Sequence, residues 1–361
     1  HVVYWATPHF HFGISLFYIS EILGLKQHIL HETDIENTFI VRKNWFSFHR
    51  YLINKNHTKV INKYLSKNQK SRKSKIIRSL RYNDLYEKNF FLLNFFYFVI
   101  KKVARILFIK NNNDKDGYFI YLKNHPRFLE AYLRTKMLFT KLIRNYFYNY
   151  FISEKKVNLD VKYVYFALHV EPERTVSPEG GIFHDQIRAI KLLSKSLPNN
   201  IKIYVKEHPN EFWLKDACID TLYFKGLKFY KELKNIRNVT LLSNNINPDL
   251  LIKHSICTAT ITGTSGWEGI KMQKKTIAFG FPWYADHKNC LCISKDDRNS
   301  INKINNFIFK RKIKDKTYTK DYIKNYNQYL VEAETWENVV KTPKNIEHIK
   351  KLFASKLVKL F

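Results

Sequence analysis

The chain has 361 residues, with 62 Lys plus Arg against 31 Asp plus Glu and a formal net charge of +31 at pH 7. Hydrophobic residues make up 45% and aromatics 16%, which excludes a disordered chain and provides for two domains of ordinary size, each with its own core. Such a charge favours polyanions (nucleic acid, an anionic membrane face, acidic glycans and their nucleotide-linked precursors), while abundant Lys, Asn, Ile, Phe and Tyr beside only 10 Gly is equally a mark of compositional bias.

From the N-terminus, HVVYWATPH opens directly in a strand (Val2 to Trp5), so the natural protein is expected to continue before His1. ISLFYISEILGL follows at helical spacing and KQHILHET reads as a second strand, giving a βαβ-like unit over residues 1 to 45. Residues 55 to 81 carry Lys59, Lys63 and Lys67 one turn apart and then KSRKSK. This predicts a solvated basic helix, with a membrane-surface or acceptor-binding patch as the second reading. NFFLLNFFYFVIKKVARILFI (89 to 109) is broken by Asn94 and closed by Lys101 and Lys102. It is too short to span a bilayer and is read as a buried helix, or as an interfacial one that docks on a membrane. Residues 126 to 155 predict another long amphipathic helix.

The character then changes. VKYVYFALHV (161 to 170) has the near-continuous apolar run of a strand buried on both faces. FHDQIRAIKLLSKSL predicts a helix and IKIYVKEHP a strand. Helices around 227 to 235 and 247 to 253 then alternate with VTLLS (239 to 243) and SICTATITG as strands. GTSGWEGIKMQ turns into a helix, KKTIAFG makes a strand, and a helix follows at 299 to 310. Strands alternating with helices predict a parallel, doubly wound α/β sheet. The expected domains are 1–157, 158–318 and, as amphipathic basic helices packing back on the first domain, 319–361. Cys218, Cys257, Cys290 and Cys292 lack zinc spacing and read as reduced thiols of a cytoplasmic protein.

Ligands of doubly wound sheets bind beyond the carboxyl ends of the strands, and three strand ends carry unusual residues. LHVEPERTVSPEGG places Glu171 and Glu173 around Pro172, with Arg174, Thr175 and Ser177 beside them. A carboxylate there serves as nucleophile or general base, the alternative being an acidic loop. VKEHPNE offers Lys206 as a fixed charge and His208 as a phosphate ligand or proton donor, with Pro209 holding His208 in extended geometry. TITGTSGWEGI brings Gly263, Thr264, Ser265 and Gly266 to a helix start that exposes amides to an anion, with Glu268 available to ribose hydroxyls; a capping signal is the alternative. It is neither a P-loop nor a GxGxxG fingerprint.

Together FALHVEPERTVSPEGGIFHDQIRAI, IYVKEHP and TGTSGWEGIKMQKKTIAFGFPWY resemble the capsule polysaccharide biosynthesis proteins related to bacterial β-Kdo transferases, over about residues 160 to 290. Residues 1 to 45 resemble more loosely the last part of that family's acceptor-side domain. The resemblance implies a GT-B-like fold, two Rossmann-like domains facing a cleft, with the N-terminal one incomplete here. It implies a glycosyltransferase using a CMP-activated sugar acid (Kdo or nonulosonic acid) and transferring to a capsular or surface polysaccharide or glycolipid acceptor, with retention. The family's proposed nucleophile, usually Asp, falls on Glu173, with Glu171 as the other candidate. Its His-Pro motif falls on His208 and Pro209 and contacts the CMP phosphate. Its Ser/Thr-Gly-x-Glu segment falls on Thr264, Ser265, Gly266 and Glu268 and holds the nucleotide. No cofactor and no metal is implied. Lys206 or Arg174 then pairs with the sugar's carboxylate. His9 and His11 are acceptor-side candidates, or structural histidines. The expected location is cytoplasmic or peripheral on the inner membrane face, with capsule export machinery as a partner. The rival readings are a CDP-glycerol or polyol-phosphate transferase and a non-catalytic capsule assembly or export protein. A nucleic-acid-binding role ranks last, because the basic residues are spread along the chain and carry no RNA-binding motif.

Overall fold

The computed structural model describes residues 1–4, 6–9, 11–53, 57–67, 100, 129, 132, 136, 140, 143–208, 211 and 225–332. Residues 68 to 81 of the basic helix, nearly all of 89 to 109, most of 126 to 142, Pro209, Cys218 and 333 to 361 lie outside these. The chain divides into two compact units. One comprises His1–Ser71, Glu173–Leu197 and Ser255–Phe361; the other comprises Arg72–Pro172 and Pro198–His254.

In the first unit, β1 (Val2–Tyr4), α1 (His11–Ile22) and β2 (Gln27–Glu32) form the expected βαβ unit, with β1 and β2 parallel. β2 then turns back into β3 (Thr38–Arg42), paired antiparallel. Thr33 and Thr38 close that turn through their hydroxyls, 2.7 Å apart, and Asn37 takes the left-handed conformation (φ 59°) that short amide side chains tolerate. The sequence reading passed over β3 because TFIVR is short and follows a polar turn.

The same unit holds β7 (Cys257–Thr260), β8 (Lys275–Ala278) and β9 (Cys290–Cys292), parallel and in that order. α6 (Thr264–Lys271) packs on β7 and β8. α3 (Gln186–Ser196) and α7 (Arg298–Phe309) pack together, each started by an aspartate: Asp185 accepts from Ile187 N and Asp297 from Ser300 N. α8 (Lys316–Asn325) is capped in the same way by Asp315. Trp267, Trp283, Tyr284, Tyr322 and Tyr326 fill the core between these helices, joined by Ile40 of β3 and by Ile61 of α2 (Thr58–Lys67).

One expectation fails here. Within the helices expected over 319–361, α8 covers residues 320 to 325, but Leu330–Glu332 form β10, antiparallel to β3. Val331 packs on Leu30, Phe39 and Val41, and burial on that face outweighs the helical pattern before it.

The second unit contains β4 (Tyr163–Ala167), β5 (Lys202–Lys206) and β6 (Val239–Leu242), all parallel, in the order β6-β5-β4. α4 (Leu227–Lys234) packs on β6, and α5 (Pro248–His254) contributes Leu251 and Ile252 to a core with Tyr163, Tyr165 and Tyr204. The predicted helix ending at 155 stops earlier, in a π-turn at Tyr148–Ile152. In both units strands alternate with helices and most pair in parallel, so the chain is α/β and Rossmann-like as expected.

Candidate functional site

β5 runs out into Lys206, Glu207 and His208, and period-2 alternation sends Glu207 to the opposite side from its neighbours. Glu207 is 1% exposed: Oε1 accepts from Lys225 Nζ at 2.9 Å and from the His208 amide at 2.9 Å, and Oε2 accepts from the Tyr230 hydroxyl at 2.8 Å. Glu211, equally buried, pairs with Arg144 Nη2 at 3.1 Å and Lys225 Nζ at 3.6 Å, and accepts from the Glu171 amide at 3.2 Å. Lys225 Nζ also donates to the His169 carbonyl, while Arg144 donates to the carbonyls of Glu211 and Lys225. Two carboxylates and two cations thus form one buried network that ties the ends of β4 and β5 to residues 211 and 225.

His208 stands on this platform with its side chain exposed. Crowding by protein lowers its pKa to about 4 with help from Lys225 and Lys206, although its ring meets solvent. The imidazole is therefore neutral at pH 7. Burial of Lys206 lowers its pKa to about 8 against the opposing attraction of Glu207. Burial likewise works to lower Lys225, but Glu207, Glu211 and Glu171 outweigh it and the net shift is upward.

In the first unit, Glu173 is exposed and its Oε2 accepts from Thr175 Oγ1 at 2.9 Å. Arg174 reaches from Glu179 Oε1 (3.3 Å) towards Glu32 Oε2 (3.9 Å). Glu179 is 4% exposed and collects partners from distant parts of the chain. Oε1 accepts from Thr7 Oγ1 at 2.6 Å and has His31 Nδ1 at 3.8 Å, and Oε2 lies 3.5 Å from Thr262 Oγ1. Thr262 Oγ1 donates to the Thr175 carbonyl at 2.7 Å, which sets the segment starting at Gly263 beside the loop of Glu173 and Arg174. Gly180, behind Glu179, has no room for a side chain: a Cβ would lie 2.6 Å from the Val176 carbonyl oxygen and 2.8 Å from Ile261 Cγ2.

α6 begins after Gly263, which takes the cap position without any side-chain cap bond, so the capping signal read from the sequence does not form. Thr264 is exposed and Ser265 half-buried at its N-terminus, while Gly266 and Glu268 are buried. The close approach that Gly266 permits is to the protein's own Tyr284, whose hydroxyl would lie 2.2 Å from an added Cβ. Tyr284 in turn donates to the Gly263 carbonyl.

The site residues therefore fall into two sets. Glu171, Lys206 and His208 gather in the second unit; Glu173, Arg174 and the Gly263–Glu268 segment gather in the first. His9, half-buried with Nδ1 3.1 Å from the Thr7 carbonyl, and His11, at the start of α1, are also in the first unit. Sequence reasoning passed over Glu179, although it stands in the quoted SPEGG, and gave Glu207 and Glu211 no role. Lys225, Arg144, His31 and Thr7 carry no local signal. Among the described residues no three His, Cys, Asp or Glu side chains gather to hold a metal ion, and no helix is long and apolar enough to cross a membrane.

A family model described as "Capsule polysaccharide biosynthesis protein" matches residues 121–319, more than half of the chain. Compared with curated proteins, the chain finds no match. Among solved structures it is similar to KpsC of Thermosulfurimonas dismutans, the beta Kdo 2,7 transferase, with 12% identity over 87% of this chain and 73% of that one and a TM-score of 0.37. The beta Kdo 2,4 transferase of the same KpsC has 16% identity over 52% and 63%, TM-score 0.28. UDP-GlcNAc 2-epimerase from Methanocaldococcus jannaschii has 12% identity over 62% and 53%, TM-score 0.31. The chain thus spans less than two thirds of the latter two.

Proposed function

The chain belongs to the capsule polysaccharide biosynthesis protein family, and on that premise we propose that it is a glycosyltransferase. It moves a sugar acid, Kdo or a nonulosonic acid, from a CMP-activated donor to a capsular or surface glycan acceptor, without a metal and with retention. It works in the cytoplasm or on the inner membrane face, as two Rossmann-like domains of GT-B type.

The observation that carries this reading is the end of β5. A buried network of Glu207, Lys225, Glu211 and Arg144 spends four charges on fixing one backbone segment, and the side chain it leaves outward is His208. Its neutral imidazole donates a hydrogen bond to the leaving phosphate while Lys206 supplies positive charge. Glu173 attacks the anomeric carbon, and the bond to CMP breaks with its electron pair going to the phosphate oxygen. The acceptor oxygen then displaces Glu173, so two inversions leave the configuration retained. Arg174, a planar fork already held by carboxylates, suits the sugar's own carboxylate.

CMP is expected to raise the melting temperature where UMP and UDP do not; a preference for CDP-glycerol would instead select the polyol-phosphate reading. Glu173→Gln and His208→Ala should each lower transfer on the order of 100-fold or more. Full transfer by both variants would refute this site.

A further inference from the structure

His31 is 6% exposed, and its Nδ1 is fully buried without a hydrogen bond. A buried polar atom left unsatisfied costs about 1–3 kcal/mol, so its persistence calls for a reason. Glu179 Oε1 lies 3.8 Å away, too long for a hydrogen bond and short enough to become one with a movement of about 1 Å. Since Nδ1 is closed off, the 8% of the side chain that stays open lies on its other atoms.

Everything facing His31 fits a proton-handling role. Arg42, from the adjacent β3, is locked by the carbonyls of Phe281 (2.6 Å) and Pro282 (2.8 Å). Arg174 and Glu179 face it from the 173–180 loop, and Glu32 follows on its own strand. Burial and the two arginines hold the imidazole neutral, its pKa well below the ordinary value. Glu179 is itself oriented by Thr7, at the end of β1, and approached by Thr262, at the end of β7. The pair thus sits at carboxyl ends of parallel strands, where such sheets bind ligands.

Resting on the transferase reading above, we propose that His31 is the general base for the acceptor hydroxyl and that Glu179 is the positioning residue that orients it. In the second displacement the acceptor O–H bond breaks, its proton passes to His31, the oxygen bonds to the anomeric carbon, and the Glu173 ester bond breaks to restore the carboxylate. The 3.8 Å separation closes in that complex, as catalytic hydrogen bonds commonly do on binding. A sugar carboxylate on Arg174 would neutralise one of the two cations that suppress His31, making it a stronger base only once the donor is in place.

The test separates the two half-reactions. With a CMP-activated sugar acid and acceptor, His31→Gln is expected to release a burst of one equivalent of CMP and to accumulate a protein adduct heavier by one sugar acid. Transfer should fall on the order of 100-fold or more. Transfer at the wild-type rate, or loss of the CMP burst itself, would overturn the role of His31. The orientation is read without turnover: ¹⁵N NMR of labelled histidine should find the Nδ1–H tautomer at His31 in wild type and a changed tautomer balance in Glu179→Gln. An Nε2–H tautomer in wild type, or no change in the variant, overturns the pair. Wild-type protein that releases no CMP from any donor tells against the transferase reading alone, since the tautomer measurement stands apart from it.

Discussion

Lys206 and Lys225 are buried lysines of one unit that titrate in opposite directions. Lys225 has two carboxylates within 3.6 Å and its pKa is raised; Lys206 has only the more diffuse attraction of Glu207, and burial lowers it to about 8. The folded protein therefore binds fewer protons at Lys206 than the unfolded chain between about pH 8 and the ordinary value of 10.5, and stability should rise with pH in that window. Urea midpoints from pH 7.5 to 10 should show that rise, and Lys206→Met should remove it. If the proposed CMP site holds, the neutralised Lys206 should weaken CMP binding over the same range, so affinity and stability are expected to move in opposite senses. For Lys225 the sign is reversed: its contribution is complete below 10.5 and lost as the pH rises through the raised folded value. Lys225→Met leaves Glu207 and Glu211 short of a cation and should cost about 3–5 kcal/mol, read from chemical denaturation. His208, Lys206 and Glu173 were legible as candidates because each is an unusual residue type at or beyond the end of an apolar strand. Glu179 was not, because its partners Thr7, His31 and Thr262 come from remote stretches that look ordinary by themselves.

Among elements, α6 shows how one residue can be read correctly for position and differently for cause. Gly266 does permit a close approach, but of Tyr284 and of Thr276 Cγ2, which a Cβ would meet at 2.8 Å. Gly266→Ala should therefore destabilise by about 1–3 kcal/mol, and Tyr284→Phe should recover part of that loss by removing the hydroxyl nearest the new methyl. Equal losses in the single and double variants would show that Tyr284 is not the obstacle. The β3–β10 pairing makes the complementary point. Val331 is 5% exposed on Leu30, Phe39 and Val41, so Val331→Ala should cost about 1–3 kcal/mol in the same assay. A three-residue strand leaves almost no periodicity to detect, and β10 exists because β3 has an edge that accepts it.

Over the whole molecule, the charge of +31 bears on association rather than on fold. If the proposed membrane-face location holds, the protein should sediment with vesicles rich in phosphatidylserine at about 20 mM salt and be released near 0.3 M, where the Debye length is shortened. Equal binding to neutral vesicles would show that charge does not direct it.

Composition and hydrophobic periodicity determined the α/β class, seven of the parallel strands and the positions of three chemically unusual strand ends, because those signals are local and survive in a single chain. Only the tertiary structure decided that Glu207 and Glu211 are spent on a buried network while His208 is left exposed. It alone brought His31, Thr7, Arg174 and Thr262 around Glu179. Which side chains become structure and which remain available depends on partners far away in sequence, and a linear pattern does not encode that proximity.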